Sequence, residues 1–493
     1  MKKKVDVIGS QRPGSKDDRI RAHATGHHKD LTVRPVNAMG ETIAAHPTLG
    51  DGIVDGLLLA AVLGVSWTKL FINLGGKLDL PVVTAVFFVT GFCLLRAARN
   101  DWRLPRIAAW LAGWSGIMLI IDLLGLLNID TAVGRTQFGK AFLLAVIAAV
   151  LLVCATAHLA ARGSVFTAQV VRWFIAGFVI SAAYSIAQFG LLALNGHDLD
   201  RIVIDNIPVI AGGTKGVLYF GGGLFRVTGL MLDTNHLGVV LIIPLALAAG
   251  FLAGWQRLSV FAICGCSMLL TLSRSGLLGA AIALLVLAVF ERRKLMKPGI
   301  VIPVVLFMGV AAVSVFALTA VDPELARKLF FSRLDPNAPG AQSHLNLYGT
   351  IPPLLMQAPL FGLGLNSFAL HFIDISGRED FGPHSMWIKL IVENGLVGTT
   401  AYVAFAYAYV RRMIWLHSRA AAAVTAAFIG TLSGNLFYLT THFMCDEIVL
   451  AIGAALVYFA ITERSSIENL PECNPIPRPP NMDYHNQLDR SLI

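Results

Sequence analysis

The stretch FGPHSMWIKLIVENGLVG, Phe381–Gly398, is followed by AYVAFAYAYV at residues 401–410, and together they form an apolar segment long enough to span a membrane. It nevertheless carries His384, Lys389 and Glu393. Ionisable groups are costly in lipid unless they face a cavity or a partner, and Glu393 would lie roughly 13 Å deeper than His384 along a helix. The stretch therefore predicts a transmembrane helix with a functional outer end. An alternative stays open, in which His384 caps the helix and Glu393 pairs with Lys389 or with a neighbouring helix.

The composition of the whole chain predicts a polytopic membrane protein. Of the 493 residues, 56% are hydrophobic and only 14% are charged, and the mean hydropathy is +0.68. A soluble fold could not cover that much apolar surface. The net charge of +9 comes from short basic clusters between apolar runs and from the first fifty residues, so it indicates membrane orientation rather than nucleic-acid binding.

Both ends of the chain differ in composition from the rest. Residues 1–50 are polar and basic and lack the apolar core of a cleavable signal peptide. Residues 465–493 include LPECNPIPRPP and few large apolar side chains. We expect two disordered cytoplasmic tails that flank a transmembrane domain at residues 51–464.

Apolar runs of about 20 residues predict about twelve transmembrane helices. The runs are continuously apolar rather than alternating, which favours helices over a barrel. The predicted spans are residues 53–73, 80–97, 106–127, 140–161, 170–194, 232–254, 257–273, 275–291, 299–320, 385–410, 420–440 and 443–462.

The basic residues between these spans predict the orientation, because cytoplasmic loops collect Lys and Arg. With a cytoplasmic N-terminus, the inner loops hold Arg96, Arg99, Arg103, Arg106, Arg162, Arg172, Arg257, Arg292, Arg293, Lys294, Lys297, Arg411, Arg412 and Arg419. Both termini are then inside. Two long segments lie outside, residues 195–231 and residues 321–384, the second between helices 9 and 10. Long loops in a compact protein are usually functional.

Several charged residues fall on the predicted outer side, and this position distinguishes between two classes of function. They are Arg226 in GGGLFRVTGLMLDTNHLG, Arg274 in LTLSRSGLLG, His384, Lys69, Asp122, Asp233, Lys389, Glu393, Asp446 and Glu447, with Asp55 as the exception. A transporter or flippase would place its polar site near the midplane, often between repeated halves. Polar groups at one face instead favour an enzyme that acts on a lipid headgroup, and the transporter remains the alternative of another class.

The two outer arginines and the histidine have a chemistry in common. Arg226 and Arg274 can each donate forked hydrogen bonds to a diphosphate, and His384 can take a proton from a hydroxyl near neutral pH. These groups fit the displacement of a lipid diphosphate by a sugar hydroxyl. Because the arginines can stabilise the leaving group, the reaction would need no metal and no cofactor.

Four blocks of sequence, in order, carry a family resemblance. FRVTGLMLDTNHLG, LTLSRSGLLGAAIALLVLAVF, APLFGLGLNSF and GPHSMWIKLIVENGLVG resemble the O-antigen ligase and polysaccharide polymerase superfamily of bacterial inner-membrane glycosyltransferases. The likeness covers about residues 215–410. It implies a GT-C-like, metal-independent enzyme of the inner membrane with a periplasmic active site. It also implies a glycan donor linked to undecaprenyl diphosphate, an acceptor glycan or glycolipid, and a chain-length or export partner.

The resemblance also implies roles for individual residues. Arg226 and Arg274 would hold the diphosphate, and His384 would act as the base or orient the acceptor. Asn235 matches the asparagine of DTNHLG, where His236 is its neighbour, and both are expected to support the site. Glu393 matches the glutamate of an E-G-L block that reads ENGL here and is expected to be catalytic together with His384.

Two departures from the family pattern favour one activity within the superfamily. Ser385 follows the histidine where many members have asparagine, and His344 stands where ligases often carry arginine. Both favour a polymerase that transfers lipid-linked glycan to the sugar hydroxyl of another unit, in exopolysaccharide or O-antigen biosynthesis. A ligase that transfers glycan to lipid A-core remains the alternative.

Structural roles are the competing interpretation for several of these residues. Arg226 could anchor at the interface by snorkelling, and Arg274 could end a helix, since Gly276 is compatible with a turn. Asn235 and His236 could serve in a helix cap. The acidic residues within spans are expected to pair with other helices; they are Asp122, Asp446 and Glu447.

Two further patterns predict no metal site. Asp198 and Asp200 form a D-x-D that could bind a divalent cation in another class of glycosyltransferase, but a solvated loop is the favoured interpretation. The six cysteines are scattered and form neither a zinc motif nor a disulfide framework.

Overall fold

Helices dominate the computed structural model of the chain. It describes residues 49–73, 79–81, 86, 89–91, 93, 104–204, 210–212, 218–220, 224–290, 324, 346–371, 385–437 and 444–468. Most of the two predicted tails, the predicted span at 299–320 and most of the span at 80–97 lie outside these residues, as do His344 and His384. Residues 465–468, predicted as the start of the C-terminal tail, continue the last helix.

The described elements follow the predicted spans in order. The helices are α1 (Leu49–Gly64), α2 (Arg106–Gly125), α3 (Ala132–Asn195), α4 (Leu199–Val203), α5 (Thr234–Val240), α6 (Ile242–Phe251), α7 (Gly254–Thr271), α8 (Arg274–Phe290), α9 (Ile351–Leu355), α10 (Met386–Leu416), α11 (Arg419–Gly434) and α12 (Cys445–Glu468). Short 3-10 helices cover Leu126–Asn128 and Phe368–His371. The strands are β1 (Leu70–Asn73), β2 (Asp79–Pro81), β3 (Ile210–Gly212), β4 (Leu218–Phe220) and β5 (Leu224–Arg226).

Length and apolarity make four of the described helical segments candidate membrane spans. They are Arg106–Asn128, Ala132–Asn195, Thr234–Phe251 and Cys445–Glu463, and shorter apolar helices cover Gly52–Gly64 and Arg274–Phe290. The 64-residue α3 contains the predicted spans at 140–161 and 170–194, and its helical geometry is broken at Gly163 (φ 85°, ψ −179°). The chain is a helical membrane protein, and the count of twelve spans remains a prediction.

The short strands were not predicted, and they shorten the first predicted span. Helix α1 ends at Gly64 instead of reaching residue 73, and β1 pairs antiparallel with both β2 and β3. Strands β4 and β5 form a hairpin in which Leu218 pairs with Arg226. The outer segment at 195–231 therefore contains a short helix and strands, and its last strand ends at Arg226.

Small residues allow close contacts between the helices that carry the predicted motifs. A Cβ atom on Gly276 in α8 would lie 2.5 Å from the carbonyl oxygen of Gly238 in α5. A Cβ on Gly279 would lie 2.5 Å from the carbonyl oxygen of Gly430 in α11. Such approaches are typical of membrane helices, which associate through packing of small residues. They hold the first turns of α8 against both α5 and α11.

Contacts between α2 and α10 show that these two helices run antiparallel. Asp122 near the end of α2 accepts a hydrogen bond from Asn394, whereas Trp110 stacks on Phe405 at 5.5 Å. The Arg412 guanidinium carbon lies 4.0 Å from the centre of the Trp110 ring. The start of α2 therefore lies beside the end of α10.

The predicted inner arginines gather at this end of the bundle, called the basic end here. Arg106 begins α2, Arg412 lies near the end of α10, and Arg419 begins α11. Helix α11 then runs to Gly434, whose added Cβ would lie 3.2 Å from the carbonyl oxygen of Ser275. Helix α8 therefore begins at the opposite end of the bundle, called the motif end here.

Candidate active site

The Arg226 side chain connects two of the four motif blocks. It is only 5% exposed, and its Nε donates to the carbonyl oxygen of Thr271 at 2.5 Å. Its Nη2 donates to Oδ1 of Asn235, also at 2.5 Å. An arginine that snorkels to the interface would extend its guanidinium towards water. Here the guanidinium lies inside the protein, at the last residue of α7.

Arg274 begins α8 immediately after that turn. Leu272 has a left-handed conformation with φ 52°, which is uncommon for leucine and reverses the chain between α7 and α8. The Arg274 side chain is exposed, in contrast to the buried Ser273 and Ser275 on either side. Arg274 thus starts a helix, and Gly276 serves the close contact with α5 rather than a turn. Residues Thr271–Arg274 and Arg226 are called the arginine turn below.

Asn235 faces the arginine turn from the first turn of α5. Asp233 is the helix cap, because its Oδ1 accepts a hydrogen bond from the Asn235 backbone nitrogen at 2.7 Å. The interpretation of Asn235 as the cap is therefore wrong. The side-chain oxygen of Asn235 instead accepts a hydrogen bond from Arg226. His236 follows in the same turn and is partly exposed.

A buried ion pair holds the segment that follows Arg226. The Lys69 side chain is fully buried and donates to Asp200 Oδ2, to Thr228 Oγ1 and to the Gly229 carbonyl oxygen. Asp200 also accepts from Tyr184 at 2.8 Å. The interpretation of the D-x-D as a solvated loop is wrong for Asp200, which is 5% exposed. The Lys69 contacts to Thr228 and Gly229 support the chain two and three residues beyond Arg226, and Asp200 holds the Lys69 ammonium in place.

Other side chains complete this support. Gln188 Oε1 accepts from the Gly229 backbone nitrogen at 2.8 Å, and its Nε2 donates to Asp200 at 2.9 Å. Ser181 accepts from the Leu230 nitrogen at 3.1 Å. Asp198 caps α4 by accepting from the Asp200 nitrogen at 3.0 Å. The backbone after Arg226 is therefore anchored by α3 as well as by Lys69.

The residue after His384 is held at the end of α11. Ser385 caps α10 by accepting from the Ile388 nitrogen at 3.3 Å, so the alternative in which His384 caps this helix is wrong. The Met386 nitrogen donates to the carbonyl oxygen of Asn435 at 3.1 Å, and Tyr348 lies 3.1 Å from Ser385 Oγ. Asn435 follows Gly434, which contacts Ser275 beside Arg274. The end of α11 therefore lies close both to Ser275, which follows Arg274, and to Met386, which is two residues after His384.

Glu393 connects the other two motif blocks. Its side chain is 1% exposed, and its oxygens accept from the backbone nitrogens of Asn366 at 2.7 Å and Phe368 at 3.3 Å. Lys389 Nζ lies 3.8 Å from Oε2, which confirms the predicted pairing of these two residues. Both carboxylate oxygens of Glu393 accept hydrogen bonds from the backbone of the GLGLNSF loop. These contacts are those expected of a residue that positions this loop.

Backbone contacts hold the same loop against a break in α10. Gly395 has φ 65°, and a Cβ there would lie 2.5 Å from the Gly362 nitrogen. The Leu363 nitrogen donates to the carbonyl oxygen of Val392 at 2.9 Å. The glycines of GLGLNS and ENGL thus allow two chain segments to approach closely.

The structure brings together some of the predicted site residues but not all of them. Arg226, Asn235 and the turn at Arg274 come together, and Glu393 lies in the other pair of motif blocks. His384 and His344 lie outside the described residues. Of the acidic residues expected to pair between helices, Asp122 does so with Asn394. Within the described residues no group of three potential His, Cys, Asp or Glu metal ligands occurs.

A family model described as O-Antigen ligase matches residues 259–403. This part of the chain is therefore similar to that family. The match confirms the resemblance to the O-antigen ligase and polysaccharide polymerase superfamily, whose members are glycosyltransferase-like enzymes. The matched segment includes Arg274, Ser385 and Glu393, whereas Arg226 and Asn235 precede it. A comparison with curated proteins finds no match to the chain.

Proposed function

We propose that the protein is a polysaccharide polymerase of the bacterial inner membrane, with both termini in the cytoplasm and its active site in the periplasm. It would transfer glycan from undecaprenyl diphosphate to a sugar hydroxyl of another lipid-linked unit. The basic end would face the cytoplasm, because Arg106, Arg412 and Arg419 gather there. The motif end would then face the periplasm.

The contact path from Arg226 to Ser385 carries this proposal. Arg226 is hydrogen-bonded to the turn that precedes Arg274, and Ser275 is close to Gly434. Asn435 in turn accepts from Met386, two residues after His384. These contacts support a site in which two guanidiniums and one imidazole share the motif end. A lipid-linked sugar diphosphate would place its phosphates on the arginines and its first sugar towards His384.

The proposed reaction is a displacement at the anomeric carbon of the donor. The acceptor hydroxyl oxygen forms the new bond to that carbon, and its proton goes to His384 or to solvent. The bond between the anomeric carbon and the diphosphate oxygen breaks, and its electron pair leaves with undecaprenyl diphosphate. Arg226 and Arg274 would stabilise the negative charge that develops on this oxygen. Because two fixed cations serve this purpose, we expect no metal requirement.

Ligation to lipid A-core is the second candidate, and the match to a family described as O-Antigen ligase favours it. The two activities share the donor and the bond that breaks, and they differ in the acceptor. Ser385 favours the polymerase, because the family's asparagine is absent at this position.

Reconstitution of the full-length protein with a lipid-diphosphate glycan tests the proposal. A second lipid-linked unit and lipid A-core are offered as competing acceptors. Elongated lipid-linked glycan is the expected product, and glycan on lipid A-core would replace the polymerase with the ligase. Transfer to neither acceptor, by protein that is correctly inserted, would overturn the enzymatic proposal. A chelator should leave the rate unchanged, whereas inhibition reversed by Mg²⁺ would contradict the proposed independence from metals.

A further inference from the structure

A cavity of about 300 Å³ lies between α2, α3, α10 and α12, apart from the arginine turn. Its polar lining comes from Asp122, Lys389, Tyr402, Asp446 and Glu447, together with Asn394. None of these residues was predicted to bind a ligand. The volume falls at the lower end of the range for small-molecule sites in proteins.

The lining of this cavity combines apolar and acidic groups. Alanines of α3 line it, and Trp114 of α2 and Phe405 of α10 add aromatic rings. The carboxyl groups come from α12, which begins at Cys445 so that Asp446 and Glu447 lie in its first turn. Aromatic faces beside hydrogen-bonding groups suit a ring that has an apolar face and a polar edge.

One carboxyl oxygen in this lining has no hydrogen-bond partner within the part of the chain that the structure describes. Oε2 of Glu447 is buried and accepts no hydrogen bond from the described residues. Asp122, in contrast, is paired with Asn394. A buried polar atom without a hydrogen bond is costly, so a hydroxyl donor from a ligand would remove that cost. Hydroxyl groups are the donors that a sugar offers.

The lining of this cavity is poorly suited to the donor diphosphate. It carries three carboxyl groups, on Asp122, Asp446 and Glu447, and its ammonium group, on Lys389, is paired with Glu393. A carboxyl group that is ionised repels a phosphate, most strongly where solvent is excluded. A diphosphate is therefore better placed on Arg226 and Arg274, neither of which is among the described residues that line the cavity.

The cavity nevertheless extends to the start of α10, two residues beyond position 384 in the sequence. Met386 lines it, and the nitrogen of Met386 is bound to Asn435 at the end of α11. A sugar in the cavity could thus extend a hydroxyl towards position 384. The cavity that would hold this sugar is acidic, whereas the phosphates would be held by arginines.

From these observations we infer that the cavity binds the acceptor as a neutral sugar. Asp446 and Glu447 accept hydrogen bonds from its hydroxyl groups, and the aromatic rings contact its apolar face. Sugars that carry a carboxylate are rejected by the acidic lining. This inference rests on the proposed transfer reaction for its role, but the binding of the sugar can be measured by itself.

The binding experiment uses the full-length protein in detergent and measures its melting temperature with added sugars. The probes are glucose, galactose and N-acetylglucosamine, with glucuronate as the charged comparison. We expect at least one neutral sugar to raise the melting temperature and glucuronate to have no effect. The double variant Asp446→Leu, Glu447→Leu, which removes the proposed acceptor oxygens, should lose the shift, whereas Glu463→Gln, an exposed change in the same helix, should keep it. Absence of a shift with every neutral sugar, or an equal shift with glucuronate, overturns the inference whether or not the enzyme is active.

The kinetic experiment uses the reconstituted transfer reaction with the same variants. The double variant should raise KM for the acceptor by about 10-fold or more, the range expected when hydrogen bonds to charged groups are lost, with KM for the donor unchanged. Ala145→Leu keeps every carboxyl group and narrows the cavity, and it should also raise the acceptor KM. A rise in donor KM alone would make the cavity part of the donor site and would contradict the inference. Inactive wild-type protein that still binds neutral sugars would instead contradict the proposed function and leave the sugar site standing.

Discussion

The arginine turn at the motif end and the acidic cavity between α2, α3, α10 and α12 both carry polar groups, but these groups differ in charge and in how they are held. In the arginine turn, hydrogen bonds to the carbonyl oxygen of Thr271 and to Asn235 fix the Arg226 guanidinium in place. In the cavity, Glu447 keeps a buried oxygen without a partner among the described residues. The first region therefore presents positive charge on a fixed side chain, and the second presents carboxyl groups. This difference is the one expected if the two regions bind the two proposed substrates, a diphosphate and a neutral sugar.

The largest effect is expected from His384→Ala, which removes the group proposed to serve both substrates. Loss of a general base lowers the rate by about 10² to 10⁴-fold. The turnover number in reconstituted transfer should fall by this amount, and KM for donor and acceptor should change little. Unaltered product length and yield would remove His384 from the mechanism.

Arg274→Lys tests the positive region alone. Lysine keeps the charge but loses the forked hydrogen bonds to phosphate, so we expect transfer to fall by about 10² to 10³-fold, as when a stabilising donor is lost. Arg411→Lys is the matched control, because Arg411 is an exposed arginine near the basic end. Equal activity of both variants would place Arg274 outside the site.

Lys69→Met tests whether the buried ion pair supports the positive region. Removing one partner of a buried pair costs about 3–5 kcal/mol of folding free energy, so the melting temperature should fall. Among molecules that remain folded, KM for the donor should rise and KM for the acceptor should stay constant, because the Lys69 contacts hold the chain just after Arg226.

The double variant Lys69→Met, Asp200→Leu is the control for stability. Replacing both charges with apolar groups is often neutral, so most of the melting temperature should recover. A smaller loss should remain, because Tyr184 and Gln188 no longer donate to Asp200. Donor KM should remain raised, since the hydrogen bonds to Thr228 and Gly229 are still absent. Recovery of donor KM together with stability would show that the pair has no positioning role.

The smallest effect is expected from Glu393→Gln. Glutamine retains one oxygen that can accept from the Asn366 nitrogen, so the loop should stay in place and transfer should fall by less than about 10-fold, the effect of one weakened hydrogen bond. A loss as large as that of His384→Ala, with unchanged melting temperature, would return Glu393 to a catalytic role.

Much of the arrangement was predictable from patterns that are local in sequence. Apolar run lengths predict the helices, and the basic loops predict that Arg412 and Arg419 gather at one end. The glycines of the motif blocks indicate close contacts, although the partner of Gly276 cannot be read from its spacing. The short strands were missed because segments of three or four residues carry too weak a periodicity to stand out.

Contacts between distant residues could not be predicted. Lys69 and Asp200 are separated by 131 residues, and their pairing depends on how α1 and α3 pack. The partners of Glu393 are backbone nitrogens, which every non-proline residue possesses. A motif therefore indicates that Glu393 matters without showing whether it reacts or positions. The cavity likewise gathers side chains from separate helices, each of which looks like an ordinary intramembrane acid in the sequence.

The distance between positions 274 and 384 tests the central claim most directly. In a full-length protein whose native cysteines are replaced, cysteines at these two positions would be treated with bifunctional maleimides of increasing length. We predict efficient cross-linking by a reagent no longer than a sugar diphosphate, and none between position 411 at the basic end and position 384. Failure of the short reagent, with cross-linking only by much longer ones, would contradict a shared site for the arginines and the histidine.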